Sequence, residues 1–104
     1  MKTLDINFKE WFDKVNGNSY CAGEVVIDYG MDSEKTFNCP FEYGYGNYYE
    51  QRAEQCLREN GILKQDIGGL HLNYYCRDHG IIVRSNIQRG CLKRELKQYD
   101  VVNN

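Results

Sequence analysis

The residues with the chemistry-bearing types and spacings form a short set. Gly44-Tyr45-Gly46-Asn47-Tyr48-Tyr49 follows a strand-like run and opens a helix-like one. Free amides and a helix dipole in that context favour an anion. The third glycine of a dinucleotide fingerprint is Tyr49 here, and no Lys-Ser/Thr follows as in a P-loop. Glu50 in the first turn also opposes an anion, so the stretch reads as a strand-to-helix turn. Cys76 and His79 have zinc-doublet spacing, with Cys21, Cys39 and His71 as conceivable completions. Structural zinc sites show paired doublets. Only one is present, and Cys21 and Cys39 fall on an apolar strand face, so no metal or cofactor is expected. Cys91 lies near Arg89, Lys93 and Arg94, which would favour a thiolate. No base accompanies it to complete a nucleophilic mechanism. The sequence therefore reads as non-enzymatic.

Charge and aromatic side chains offer binding surfaces instead. Residues 1–60 carry six basic and eleven acidic side chains, a net −5, whereas residues 61–104 carry seven and four, a net +3. The chain is thus bipolar rather than globally basic. The acidic pole includes Glu24, Asp28 and Glu42, with Asp32 and Glu34 between them. Nine tyrosines are present, and Tyr43, Tyr45, Tyr48 and Tyr49 crowd one turn. Glu24, Asp28, Glu42, Tyr45 and Tyr48 are the candidate partner-binding residues, because aligned carboxylates steer a basic partner and exposed Tyr anchors interfaces. The basic pole comprises Arg84, Arg89, Lys93, Arg94 and Lys97, an alternative surface for nucleic-acid phosphates.

These residues need elements to position them. Residues 23–29 and 36–43 alternate apolar and polar positions around a Gly/Asp/Ser cluster, which is a β-hairpin pattern. Pairing Ile27 with Phe37 would put Cys21, Val25, Ile27 and Tyr29 on one face with Phe37, Cys39, Phe41 and Tyr43. Glu24, Asp28 and Glu42 would then project from the other face. Pro40 removes a backbone donor, which predicts an edge strand or a bulge. Ahead of the hairpin, Asn7 and Glu10 have capping-box spacing, and Ile6 and Trp11 that of a hydrophobic staple. Phe8, Trp11, Phe12 and Val15 recur with helical period, and Gly17 is placed as a C-terminal cap. That pattern predicts an N-terminal helix over the hairpin.

A second capping box at Asn47–Glu50 starts a helix with Tyr49, Ala53, Cys56 and Leu57 on its apolar stripe. Gly61 ends it, and Ile62 is placed to return onto Leu57. Leu70–Gly80 reads as a short helix, with a strand leading into a hairpin as the alternative. The ending Cys76-Arg77-Asp78-His79-Gly80-Ile81 repeats the pattern of Leu57-Arg58-Glu59-Asn60-Gly61-Ile62, which favours helix. Residues 81–87 are β-branched and read as a strand. Cys91 to Tyr99 reads as a last helix with Leu92, Leu96 and Tyr99 inward.

The 104 residues fit a single domain, 1–104, of α+β class. The expected architecture is a small antiparallel sheet, the N-terminal hairpin plus a C-terminal strand, with helices packed on one face. The expected core joins Phe8, Trp11, Phe12, Val25, Ile27, Phe37, Phe41, Leu57, Ile81, Val83 and Leu96. The first residues lack a signal-peptide pattern, and no stretch is apolar enough to span a membrane. The odd count of five cysteines without framework spacing fits reduced thiols. A cytoplasmic location with no membrane partner follows as the expectation.

Two stretches carry a resemblance. Phe41-Glu42-Tyr43-Gly44-Tyr45-Gly46-Asn47 leads into a helix. Gly80-Ile81-Ile82-Val83-Arg84-Ser85-Asn86 leads to Cys91-Leu92-Lys93-Arg94-Glu95-Leu96. Together they are about a quarter of the chain and resemble small bacteriophage accessory proteins of similar length. The resemblance implies an inhibitor of the anti-CRISPR kind that binds a host protein or nucleoprotein complex in the host cytoplasm. It carries no active site. A small nucleic-acid-binding α+β domain using the basic last helix is the alternative.

Overall fold

The computed structural model describes residues 1–44, 48–63 and 72–100, with the backbone alone at 73. The chain is α+β. Three strands come first: β1 (Thr3–Asp13), β2 (Asn18–Ile27) and β3 (Lys35–Tyr43). Helices α1 (Tyr48–Glu59) and α2 (Leu72–Asp78) follow, then strand β4 (Ile82–Gln88) and the short helix α3 (Lys93–Lys97). The sheet order is β3-β2-β1-β4. β1 pairs antiparallel with β2 and parallel with β4, so the sheet is mixed.

The N-terminal segment is a strand and not the expected helix. Leu4, Ile6 and Phe8 alternate with Thr3, Asp5, Asn7 and Lys9, and the three apolar side chains are at most 1% exposed. Full burial of such a side chain is worth about 1.5–3 kcal/mol. The competing helical stripe would have buried Phe12 and Val15, which are 50% and 92% exposed. Gly17 does take a positive φ of 70°, but in the β1–β2 turn. Asp13 closes that turn by accepting from the Val15 and Asn16 amides and the Asn16 side chain.

β1 lies inside the sheet because both its neighbours fit it. Phe8 sits opposite Gly23, where an added Cβ would lie 2.2 Å from the Asn7 carbonyl oxygen and 2.6 Å from Phe8 Cα. The absent side chain is what lets the two strands and the Phe8 ring close up.

The β2–β3 hairpin forms as the alternation requires, in a register shifted by two residues. Val25 faces Phe37 and Ile27 faces Lys35. A shift of two keeps the same faces together, whereas a shift of one would not. β3 is an edge strand, and its ladder with β2 is irregular between Cys21 and Gly23, opposite the Pro40 region. Both Pro40 expectations are met.

One face of the sheet carries Leu4, Ile6, Phe8, Val25, Ile27, Phe37 and Cys39 under α1 and α2. Tyr49, Ala53, Cys56 and Leu57 come from α1, and Leu72 and Cys76 from α2. Both helices end in the hydrogen bonds of a Schellman motif. The Ile62 amide donates to the Leu57 carbonyl and the Gly61 amide to that of Arg58. The Ile81 amide likewise donates to Cys76 and the Gly80 amide to Arg77. The repeated ending thus identifies α2 as a helix.

The expected single layer of helices is corrected by α3, which packs on the opposite face. Leu96 and Cys91 meet Ala22 there, flanked by Trp11, Tyr20, Phe41 and Tyr99. The Cys91 amide donates to the Glu10 carbonyl and fixes the approach of α3 to β1. Leu92, expected inward, is exposed. Trp11, Phe41 and Val83 are only half-buried, and Phe12 leaves the expected core altogether.

The strand and helix readings of the first segment predict opposite mutational responses. Ile6→Ala should lower stability by about 2–5 kcal/mol. Phe12→Ala should change it by about 0.5 kcal/mol or less. Urea midpoints of the two variants check this, and a larger loss for Phe12→Ala would contradict the strand.

Candidate functional site

The three candidate carboxylates do not project together. Asp28 follows β2 at a positive φ of 53° and is buried. Its Oδ1 accepts from the Lys2 amide at 2.6 Å and the Thr3 amide at 3.1 Å. Its Oδ2 accepts from the Ser33 hydroxyl at 2.8 Å. The Lys2 amide first, then Ser33 and Thr3, hold this carboxyl down to about 2. Asp28 therefore ties the start of β1 to the end of β2 and to the following loop.

Glu42 points to the helix layer. Its carboxylate pairs with Nε of Arg52 at 2.5 Å, and the Arg52 side chain is 7% exposed. The bulge explains the change of side: one extra residue in the strand inverts the alternation beyond it. Phe41, expected on the α1 side, turns instead to the α3 side. Its ring stacks on Tyr20 with centroids 4.9 Å apart, and Trp11 lies 6.2 Å away. Glu42 thus neutralises a buried cation that would otherwise be strongly destabilising.

Tyr48 is half-buried, and its ring covers Gly44 so closely that a Cβ there would lie 2.2 Å from Tyr48 Cδ1. Tyr45 and the turn at 45–47 lie outside the described residues, as does His71. Glu24 is left as the candidate carboxylate available to a partner. It is half-buried and has no hydrogen-bond or ion-pair partner among the described residues.

Glu24 belongs to a part of the sheet that no described helix covers. Strand alternation and register place Asp5 and Asn7 of β1, Glu24 and Val26 of β2, and Arg84 of β4 on this face. With Tyr29 they line a shallow concavity of about 340 Å³. Arg84 lies along Asp5 with Nε–Oδ1 at 2.7 Å and Nη2–Oδ2 at 2.9 Å, a fork-to-fork pair. Tyr29 stands at the rim, 66% exposed. Strict alternation along the hairpin puts Tyr29 on the apolar face, but the strand ends at Ile27 and Asp28 turns with a positive φ. Sequence reasoning missed Asp5 and Asn7 because the helix reading removed β1 from the sheet.

The basic pole is largely engaged within the fold. Arg84 pairs with Asp5, and Arg89 Nη1 reaches Glu10 at 2.6 Å. Lys93 lies over the Trp11 ring at 5.5 Å, and Lys97 over Phe41 at 4.4 Å while pairing with Asp100. Arg94 is exposed. These cations flank the aromatic cluster at the α3 end of the open face.

Cys76 and His79 lie in different surroundings. Cys76 is buried in the core, whereas His79 is exposed and stacks on Tyr75 at 4.1 Å. Among the described residues no group of three or more His, Cys, Asp or Glu is placed to hold a metal ion. All five thiols are free and buried. Burial pushes those of Cys21 and Cys76 up to about 11. Cys39 is raised by its hydrogen bond to Cys56 and by burial. The Cys91 thiol donates to the Gln88 carbonyl at 3.3 Å.

Comparison with protein-family models, with curated proteins and with solved structures finds no match to the chain. Among the described residues no helix is long and apolar enough to cross a membrane.

Asp28 gives a pH signature. Its folded value lies below the ordinary value of about 3.9 for an unfolded Asp. Its stabilisation is complete above that value and is lost as the pH falls toward about 2. The melting temperature of wild type should exceed that of Asp28→Asn by a constant margin between about pH 5 and 7, and the margin should shrink below about pH 4. Thermal melts across that range check it; a margin unchanged at low pH would detach Asp28 from the N-terminal amides.

Proposed function

We propose that the chain is a non-enzymatic binding protein that docks a partner protein on the open face of its sheet. The observation that carries this reading is the concavity between Asp5, Asn7, Glu24, Val26, Tyr29 and Arg84, which no described helix covers. Its floor holds a carboxylate with no ion-pair partner among the described residues, an amide and an Arg–Asp fork, and its rim holds an exposed Tyr. Such a set suits a partner segment that presents a cation and amide donors. Glu24 supplies charge complementarity, and Tyr29 supplies desolvated contact area. The proposed surface is again acidic and Tyr-bearing, at other residues than the sequence suggests. Asp28 and Glu42 act in folding, and Asp5 and Tyr29 take their place beside Glu24.

The resemblance of the 41–47 and 80–96 stretches to phage accessory proteins directs the choice of partner. A host protein or nucleoprotein complex is the expected class, inhibition of the anti-CRISPR kind the expected outcome, and the host cytoplasm the expected place.

A second reading keeps nucleic acid as the ligand of Lys93, Arg94 and Lys97. The half-buried rings of Trp11, Tyr20 and Phe41 beside these cations favour it, since single strands bind to stacked rings in a basic groove. The pairing of Arg84 and Arg89 with carboxylates weakens it.

Affinity capture from bacterial host lysate supplies the partner, and binding isotherms then separate the readings. Glu24→Gln combined with Tyr29→Ala should weaken binding about tenfold or more. Lys93→Gln combined with Lys97→Gln should weaken it less than about threefold, as for charges at an interface rim. The reverse order, or direct binding to naked DNA or RNA that falls steeply with salt, would replace the first reading by the second.

A further inference from the structure

The two edges of the sheet are treated differently by the sequence. Exposed strand edges invite pairing with another chain, and proteins normally guard them. The β3 edge is guarded. Pro40 removes one donor, the adjacent ladder is irregular, and the Phe41 amide donates to Asp100 at 2.9 Å. The β4 edge has none of these devices. Its sequence, Ile82-Val83-Arg84-Ser85-Asn86-Ile87-Gln88, contains no Pro and no Lys, and its register with β1 runs unbroken from Thr3–Ile82 to Lys9–Gln88.

The direction of its backbone groups is fixed. The Ile82 amide donates to the Lys2 carbonyl at 3.0 Å, so Ile82 faces β1. Alternation then turns Arg84, Asn86 and Gln88 to β1 and the amides and carbonyls of Val83, Ser85 and Ile87 outward. Among the described residues, no side-chain or loop hydrogen bond involves the backbone of these three residues.

We infer that β4 is a homodimerisation strand, pairing antiparallel with β4 of a second copy about a two-fold axis at Ser85. The sequence is self-complementary in that register. Val83 of one copy faces Ile87 of the other, Ser85 faces Ser85, and Arg84 faces Asn86. The outward amides of Val83, Ser85 and Ile87 then meet the outward carbonyls of Ile87, Ser85 and Val83 in the other copy. The Val83–Ile87 and Ser85–Ser85 pairs are hydrogen-bonded pairs, with Cα atoms about 5.5 Å apart, and Arg84–Asn86 is the non-hydrogen-bonded pair between them. Val83 and Ile87 already pack against the main core, so their cross-copy contact extends the apolar layer from one copy to the next. A second copy fits this edge because like pairs with like in a closed two-fold arrangement. The same pairing joins the open faces of the two copies side by side.

Sedimentation analysis of the full chain tests the inference. Wild type should show a reversible dimer of twice the 12.2 kDa chain mass. Ser85→Pro removes an outward amide and leaves the β1 ladder intact, so it should be monomeric with an unchanged far-ultraviolet spectrum. Ser85 is exposed, so charge is tolerated there, and on the axis it meets itself. Ser85→Lys and Ser85→Glu should each be monomeric alone and should dimerise when mixed. The mixing experiment decides the matter if Ser85→Pro fails to fold. A wild type that stays monomeric up to about 200 µM would overturn the inference. So would a dimer that survives Ser85→Pro, or a mixture of the two charge variants that behaves as its components.

Discussion

The structure depends on one strand that must satisfy two neighbours and two faces at once. β1 pairs antiparallel with β2 on one side and parallel with β4 on the other. Its Leu4, Ile6 and Phe8 side chains enter the main core, while Asp5, Asn7, Lys9 and Trp11 stand on the opposite face. A shift of one residue would exchange these sets and bury Asp5 and Lys9 beneath α1. Several polar contacts hold the register. Asp28 captures the Lys2 and Thr3 amides at one end of the strand, and Arg84 and Arg89 reach Asp5 and Glu10 along it. Polar residues that resemble a binding surface in sequence thus help fix where β1 lies.

Legibility of the chain followed the range of the interactions that decide each element. The ends of α1 and α2 are local events, a glycine and an apolar return within one turn, and both were readable. The β2–β3 hairpin was readable because its alternation is unambiguous over each arm. β1 was not, because residues 4–15 satisfy two periods at once. Leu4, Ile6 and Phe8 fit a strand, and Phe8, Trp11, Phe12 and Val15 fit a helix. The choice is made by Gly23, Val25 and Ile27 of β2 and by β4, which lies about 80 residues further along the chain.

The candidate site shows the same limit. Pro40 correctly signalled an irregular edge, but a bulge also inverts the faces beyond it. That inversion carried Glu42 to Arg52 and Phe41 to α3. A sequence reading that kept strict alternation past Pro40 put both on the wrong side. Asp28 was misplaced for a different reason: its partners at Lys2 and Thr3 join it only when β1 is a strand. Once β1 is in the sheet, Asp5 and Asn7 join Glu24, and Arg84 of β4 closes the floor of the concavity. Both the open face and the unguarded edge follow from the parallel β1–β4 pairing.

The most direct test of that pairing is amide hydrogen exchange with nuclear Overhauser contacts across residues 1–30 and 80–90. Amides of β1 should exchange among the slowest in the chain, since the strand is bonded on both sides. Cross-strand contacts should link Leu4 to Ile27 and to Val83. Rapid exchange across Leu4–Phe8, with sequential amide–amide contacts of a helix from Phe8 to Asn16, would contradict the central position of β1 and the open face built on it.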